Sequence, residues 1–463
     1  MPLPDAKNTA LFIAILAGFL TPFDLSAVNI ALPTLAQEFS MDAIQMGWVS
    51  TAYLLASAVF LVPFGRIADI YGRKRVFISG LSLFTLASFL MILAPSALAV
   101  ILLRILQGLG SAMIFGTAVA ILTSVTPPAQ RGKALGIYTT AVYLGLSMGP
   151  FLGGMLTGLF GWRSIFAVNL PLGLLAIALI FLFLKGEWAD CRGERFDAGG
   201  SIQYGLTLTC AMYGFSLLPE REGFILLFAG AVMLAVFIAR ELRISYPLWD
   251  IRVFSKNRVF LFSNMAALVN YGATFAVMFF LSLFLQYIWG FPPEQAGTLL
   301  VVQPVVMALV SPAAGRLSDR IEPGKIASAG MAITALALIL LTLIGSDTPL
   351  QMIVGILVIL GIGLGLFSSP NTNAIMGSVD RSCYGVASGT LGTMRLTGQM
   401  LSMGFAMMVL AIFVGNVQIT PALYPAFLES MKVSMMISAV MCVAGIFFSL
   451  VRYGNRDTTV CKR

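Results

Sequence analysis

The sequence predicts an all-α, polytopic membrane protein, and three observations carry that expectation. The 463 residues are 59% hydrophobic and 10% charged, whereas soluble domains carry about 25% charged residues. The mean hydropathy is +0.93, so a soluble core of this size would be left largely uncovered. The apolar residues also fall in about fourteen runs, each near the roughly 20 residues needed to cross a hydrocarbon core of about 30 Å. Their approximate limits are 9–32, 46–65, 76–95, 98–124, 134–159, 164–185, 199–218, 223–240, 259–289, 295–314, 325–345, 350–374, 385–415 and 430–451. The runs at 199–218 and 223–240 are the weakest, and Gly199, Gly200, Gln203 and Cys210 dilute the first of them.

The loops between the runs set the orientation. With a cytoplasmic N-terminus, all but five of the 28 lysines and arginines lie on the cytoplasmic side, as the positive-inside rule requires. They gather at Arg73-Lys74-Arg75, Arg131 and Lys133, Lys185 to Arg195, Arg240 to Arg258, Arg316 to Lys325, Arg381 and the C-terminal tail. Arg163, Arg221 and Lys432 remain outside, and Arg104 and Arg395 fall within spans. An even number of spans places both termini in the cytoplasm. The net charge of +8 therefore reflects topology, and no nucleic-acid partner is expected. The location expected is the plasma or inner membrane. Lys7 precedes a run that continues through Asp24 without an A-x-A site, so no cleavable signal is expected. Five cysteines show neither paired nor metal spacing, and there is no histidine. Proton chemistry must then run through carboxylates, tyrosines or basic residues, and neither cofactor nor metal is expected.

An internal repeat divides the chain. GRIADIYGRKR (65–75) follows the second run, and GRLSDRIEPGK (315–325), with Asp319 in the place of Asp69, follows the tenth. Two halves of six spans would put the second copy after span 8, so two extra spans sit between the halves, and spans 7 and 8 are the candidates. The expected organisation is an N-terminal six-helix bundle at 1–185, inserted spans with their linkers at 186–257, a C-terminal six-helix bundle at 258–452 and a tail at 453–463. Repeats around a central site are a transporter plan.

Further motifs lie in the first half. Span 4 holds RILQGLGSA with Arg104, Gln107, Gly108 and Gly110, and span 5 holds GLSMGPFLGG with Gly145, Gly149, Pro150, Gly153 and Gly154. Span 1 holds FDLSAVNIALP, and GWRSIFAVNLPLG (161–173) leads into span 6. With Gly65, Asp69, Gly72, Arg73 and Lys74 after span 2, these five motifs resemble, in order and at the right spans, those of the major facilitator superfamily, in its branch of fourteen-span drug:proton antiporters. The resemblance covers essentially the whole chain. It implies two six-helix bundles plus two inserted helices, alternating access, and spans 1 and 4 lining one cavity. It also implies that the 65–75 loop latches the cytoplasmic face and that the span 5 motif marks an antiporter. Ile70 stands where the family usually has a basic residue. Exporters of this branch often carry acids in span 13, where this chain has Arg395 and Gln399; one exchangeable proton, or an anionic or neutral substrate, then fits better than a divalent cation.

On their own physics, loop 66–75 reads either as that latch or as a solvated charged loop. The small residues of GLSMGPFLGG allow close helix approach, and Pro150 can kink the span; a sealing helix and ordinary tight packing both fit. Asp24 is the only acid placed deep in a run, where a carboxylate costs about 2.5–3.5 kcal/mol on insertion scales. At 1.5 Å per residue, Asp24 and Arg104 each lie roughly 10 Å below the outer surface, and since the resemblance implies that spans 1 and 4 line one cavity, a pair is expected. It can couple to protons or serve as a static link between two helices. Among other polar groups in spans, Asn29, Tyr53, Gln107, Asn270, Tyr271 and Asn371 are candidates to line a substrate cavity, and Tyr143, Gln286, Gln303, Asn373 and Gln399 read equally as interhelical glue. The 34 phenylalanines and 24 methionines suit a greasy pocket and lipid-facing helices alike.

Other classes fit poorly. A nucleotide-binding G-x-x-x-x-G-K-[ST] loop is missing, which argues against a primary pump. Without histidine, a cysteine cluster or paired membrane carboxylates, an enzyme is not expected, and short loops argue against a receptor. Two readings stay open, both with a small solute and the bilayer as partners and a monomer as the unit, with protons as a further partner in the first. One is a proton-coupled antiporter exporting amphipathic or drug-like solutes. The other is a more specific carrier of an amino acid or organic anion, working as exchanger or uniporter.

Overall fold

The computed structural model describes residues 6–127, 130–184, 186–244, 247–249, 251–252, 254, 257–379 and 384–450. The tail expected at 453–463 lies outside the described residues, as do Lys185, Lys256 and Arg381. Fourteen long helices account for most of the described chain. They are α1 Ala6–Phe39, α2 Ala43–Tyr71, α3 Arg73–Ile92, α4 Ala97–Val125, α5 Arg131–Phe160, α6 Arg163–Phe183, α7 Ala198–Leu217 and α8 Arg221–Glu241. Then come α9 Arg258–Ile288 and α10 Pro293–Ser318, followed by α11 Pro323–Leu341, α12 Leu350–Gly377, α13 Tyr384–Phe413 and α14 Tyr424–Leu450. Among the described residues, 13 of these helices are long and apolar enough to cross a membrane. The remaining one is α7, the run that Gly199, Gly200 and Gln203 dilute.

Local chemistry sets the helix ends. Asp42 opens α2 with a capping box, accepting from the Gln45 amide at 2.7 Å while the Gln45 side chain accepts from its own amide at 3.2 Å. Ser96, Asp197 and Asn257 cap α4, α7 and α9 in the same sense. Gly72, at φ 126°, makes the turn between α2 and α3 that a side chain would strain. In α10 the regular helix breaks at Val301, because Pro304 cannot donate to the carbonyl of Leu300. Several helices outrun their apolar cores. The first span continues to Phe39, well past residue 32, so Asp24 sits deeper from that end than hydropathy suggests.

The helices form two six-helix bundles with two helices inserted between them in sequence. In the first bundle α1 packs on α4, α5 and α6, while α4 packs on α2 and α3. In the second, α9 packs on α13 and α14, and α12 on α10 and α11. The bundles meet along α2 with α13, α5 with α10 and α1 with α9. The inserted helices α7 and α8 pack on each other, and α7 lies across the seam of α2 and α13. There Trp48 of α2 faces Tyr213 at 6.2 Å, and Phe405 of α13 faces Phe215 at 5.0 Å. Asp197, at the start of α7, grips Arg240 near the end of α8 through bonds of 2.6 and 2.7 Å. Burial raises the Asp197 pKa, but Arg240 and the Gly200 amide outweigh it and hold the carboxyl below its ordinary value.

The ends of the bundle differ. The end bearing the α2–α3 and α10–α11 loops is the basic end. At the far end and in the middle the two bundles are hydrogen-bonded. Ser282 donates to the Asn29 carbonyl at 2.8 Å, Gln286 to the Ile30 carbonyl at 3.0 Å, and Ala43 to the Val417 carbonyl at 3.1 Å. No such bond joins the bundles near the basic end among the described residues.

Candidate functional site

Asp24 and Arg104 come together as their depths suggest. Both side chains are 0% exposed, and Arg104 Nη1 is paired with Asp24 Oδ2. An ion pair removed from water must satisfy its remaining polar atoms locally. Asn169 Nδ2 of α6 donates to Asp24 Oδ1 at 2.8 Å. Gln107, one turn along α4, accepts from Arg104 Nη1 at 2.9 Å and donates to Ser88 of α3 at 2.9 Å. Arg104 Nε donates to the Val49 carbonyl at 3.0 Å, and the guanidinium lies 4.3 Å from the centre of the Tyr53 ring. The Tyr53 hydroxyl donates to Ser111 at 2.8 Å. Arg104 Nη2 and Asn169 Oδ1 are buried without partners among the described residues. One carboxylate and one guanidinium, enclosed by five helices, thus form a charge-neutral unit with spare hydrogen-bonding capacity.

Tyr53 and Gln107 therefore stand in the Asp24 network. Asn29 is buried and accepts from Ser50 at 2.7 Å. Asn371 donates to the Ser263 carbonyl at 3.2 Å, and Asn270 is buried with neither amide atom partnered among the described residues. Tyr271 lies elsewhere, beside Arg395 of α13. The Arg395 guanidinium is 5.5 Å from the Tyr271 ring centre and 5.7 Å from that of Tyr143 on α5. The Tyr143 hydroxyl is hydrogen-bonded to Ser368 of α12.

The span 5 glycines act as contact points. A Cβ on Gly145 would sit 2.4 Å from the Phe19 carbonyl, and one on Gly149 would sit 2.4 Å from Ser26 Cβ, so α1 lies directly on this face. Gly153 meets Ala27 in the same way. Gly154 turns to the other bundle, where a Cβ would be 2.4 Å from the Pro293 carbonyl, and one on Gly297 would be 2.2 Å from the Pro150 carbonyl. The helix carrying Pro150 is thus the far-end contact between α5 and α10.

At the basic end Asp69 accepts from Arg73 Nε at 2.8 Å and Nη2 at 2.6 Å, and Arg73 Nη1 donates to Ser124 of α4 at 2.8 Å. The α6–α7 segment, read from sequence as a basic cluster only, binds this loop through its acids. Asp190 pairs with Arg73 at 2.7 Å, Glu187 accepts from the Lys74 amide at 2.8 Å, and Glu194 pairs with Arg66. Lys74 Nζ donates to the Leu184 carbonyl. Gly65 has open space where a Cβ would be, whereas one on Gly72 would collide with Glu187. In the second copy of the motif Asp319 caps α10 and is exposed.

Asn169 and Ser88 are the members of the Asp24 network that sequence reasoning missed. Asn169 lies within GWRSIFAVNLPLG, and the signal available was a lone amide in an otherwise apolar run. Comparison with known proteins gives a consistent picture. The profile of the Major Facilitator Superfamily matches residues 14–403. The chain is 30% identical over 457 residues to the riboflavin transporter RibZ of Clostridioides difficile, covering 98% of this chain and 99% of that protein. It is 31% identical over 411 residues to the multidrug resistance protein Stp of Mycobacterium tuberculosis, covering 87% and 76%. Its fold is similar to that of a bacterial homologue of the human lysosomal transporter Spinster in an inward-facing, unoccupied conformation, with a TM-score of 0.67, 20% identity and 97% of each chain covered.

Proposed function

Because the chain belongs to the major facilitator superfamily and is a multi-pass membrane transporter rather than an enzyme, we propose that it is a proton-coupled antiporter that exports small amphipathic solutes by alternating access. The observation that carries this reading is the enclosure of Asp24. It is the one carboxylate of the described helices that lies away from a helix end, and it shares its site with a single arginine. Protonation leaves Arg104 without its counter-charge in a region where an unpaired charge is costly. The protonated and ionised forms then favour different packings of α1 against α4 and α6, which is what a coupling device requires. The names of the two relatives, for riboflavin transport and multidrug resistance, support a solute of this kind.

In this reading Asp24 carries the proton and Arg104 tunes it. The basic end faces the cytoplasm, both termini lie there, and the membrane is the cell membrane. In this reading the bonds between the bundles at the far end hold the outer side closed. Gly145, Gly149, Pro150, Gly153 and Gly154 form the outer seal with α10. Gly65, Asp69, Gly72, Arg73 and Lys74 hold the cytoplasmic loop, and Asp319 occupies the matching place in the second bundle. Asn29, Tyr53, Gln107, Asn270, Tyr271 and Asn371 face the transport path in one state or the other. The functional unit is a monomer, divided at 185 and 257.

The test uses purified protein in liposomes loaded with a pH-sensitive dye and challenged with lipophilic cations, anions and amino acids. Substrate-driven proton flux in the wild type, and its loss in Asp24→Asn, is the expected result. Leaving Arg104 buried and unpaired costs about 3–5 kcal/mol, so Asp24→Asn with Arg104→Gln serves as a folded control and is also expected to be uncoupled. Solute flux without proton movement, unchanged in Asp24→Asn, would make the protein a uniporter or exchanger and reduce Asp24 to a structural partner.

A further inference from the structure

The second bundle holds a charge that the proton site does not use. Arg395 stands on α13, Tyr271 on α9 and Tyr143 on α5, each about 17–20 Å along its helix from the basic end at 1.5 Å per residue. All three are therefore near the middle of the bilayer, and all three are half-buried. The guanidinium lies within 5.7 Å of both ring centres, and no carboxylate of the described residues pairs with it. The Tyr143 hydroxyl is hydrogen-bonded to Ser368. Tyr138, five residues before Tyr143 on α5, is 6% exposed, and its hydroxyl has no partner among the described residues. A cation at membrane depth normally has a counter-charge. Here two aromatic faces lie against one, with the hydrogen-bonded Tyr143–Ser368 hydroxyls at the same cluster, and none of these groups is an anion.

We propose that Arg395, Tyr143, Tyr271 and Tyr138 form a subsite for the anionic group of an aromatic solute, a carboxylate or its equivalent, held between the two bundles. The arginine supplies the charge and a planar pair of donors suited to a carboxylate. Tyr138 supplies an uncommitted donor, and the rings of Tyr143 and Tyr271 offer faces for the solute's aromatic body. Tyr138 and Tyr143 belong to the first bundle while Arg395, Tyr271 and Ser368 belong to the second, so an anion bound here bears on the contact that must change in alternating access. The proposal rests on the transporter reading above and names its substrate class.

The experiment measures equilibrium binding of radiolabelled 1-naphthoate to the full chain in nanodiscs, with 1-naphthylmethylamine as the cationic and 1-naphthalenemethanol as the neutral probe. The wild type is expected to bind the carboxylate at least ten-fold more tightly than the amine. Arg395→Gln is expected to lose that preference with a ten-fold or larger drop in naphthoate affinity, and Arg395→Lys to recover most of it. Tyr138→Phe is expected to lower naphthoate affinity by roughly ten- to hundred-fold, as loss of one hydrogen bond to a charged group does. Unchanged binding of the neutral probe shows that each variant is folded. Equal binding of carboxylate and amine by the wild type, no naphthoate binding, or naphthoate binding indifferent to Arg395→Gln would overturn the subsite. The liposome proton flux separates the two ideas. Arg395-dependent binding without proton flux removes the antiport reading and leaves the subsite, whereas cation-driven proton flux in a wild type whose naphthoate binding is absent or indifferent to Arg395→Gln leaves antiport and removes the subsite.

Discussion

Asn169 shows what one side chain contributes to a buried charge. Its amide donates to Asp24 Oδ1 at 2.8 Å from a third helix, and hydrogen bonds to charged groups contribute about 1.5–3 kcal/mol. Asn169→Leu is therefore expected to lower the thermal stability of the purified protein by that amount, because α6 then faces the carboxylate with an apolar group. In an Asp24→Asn background the charge is gone, so the cost of Asn169→Leu should fall well below its value in the wild type. Equal costs in both backgrounds, measured as a double-mutant cycle, would show that the bond carries no coupling. The same residues mark what the sequence made legible. A carboxylate and a guanidinium in apolar runs stand out because their desolvation needs an explanation, so Asp24 and Arg104 could be paired from their matching depth once the family resemblance set spans 1 and 4 on one cavity. A neutral amide in an apolar run is ordinary, which is why Asn169 could not be singled out. Tyr143 and Tyr271 could be noted one by one, but their convergence on Arg395 joins three helices far apart in the chain, and no local pattern records that.

Among the elements, α5 and α10 carry the sharpest geometric demand. Gly154 and Gly297 let the two backbones approach until a Cβ on Gly297 would stand 2.2 Å from the Pro150 carbonyl. A neighbouring backbone cannot move aside as a flexible side chain can, so Gly297→Ala must push the helices apart at the far end. Substrate flux in liposomes is expected to fall about ten-fold or more, as for a machine that can no longer complete one of its two states. Gly389→Ala on α13, where a Cβ meets nothing within 4 Å, should transport like the wild type. Full transport by Gly297→Ala would remove α5–α10 contact from the cycle. Hydropathy located these helices well, since a span of roughly 20 apolar residues is a strong signal. It located their ends less well, because α1 runs to Phe39 on a polar helical extension that hydropathy does not count. The role of the α6–α7 segment was also hidden. Its lysine and arginines were visible as topology, but Glu187, Asp190 and Glu194 become partners of the α2–α3 loop only when the first bundle closes and brings them beside Arg66, Arg73 and Lys74.

For the molecule as a whole the question is whether the far-end contact is one state of a cycle or a permanent weld. Thr51 donates to Met407 Sδ at 3.2 Å, and a Cβ on Gly47 would stand 2.8 Å from Met407 Cγ, so α2 and α13 touch directly on the far side of the bilayer's middle. Both residues are buried, and neither belongs to the Asp24 network or to the Arg395 cluster. Gly47→Cys combined with Met407→Cys, in a chain whose own cysteines are replaced, brings two thiols within reach of a short bifunctional thiol reagent. If the bundles rock between two closed forms, cross-linking should abolish substrate flux while leaving binding from the basic end intact, and a reducible cross-linker should restore flux after reduction. Each single-cysteine variant should ignore the reagent. A cross-linked protein that transports at the uncross-linked rate would mean that the α2–α13 contact persists through the cycle. Opening to the far side would then have to come from other contacts between the bundles, chiefly α5 against α10 and α1 against α9.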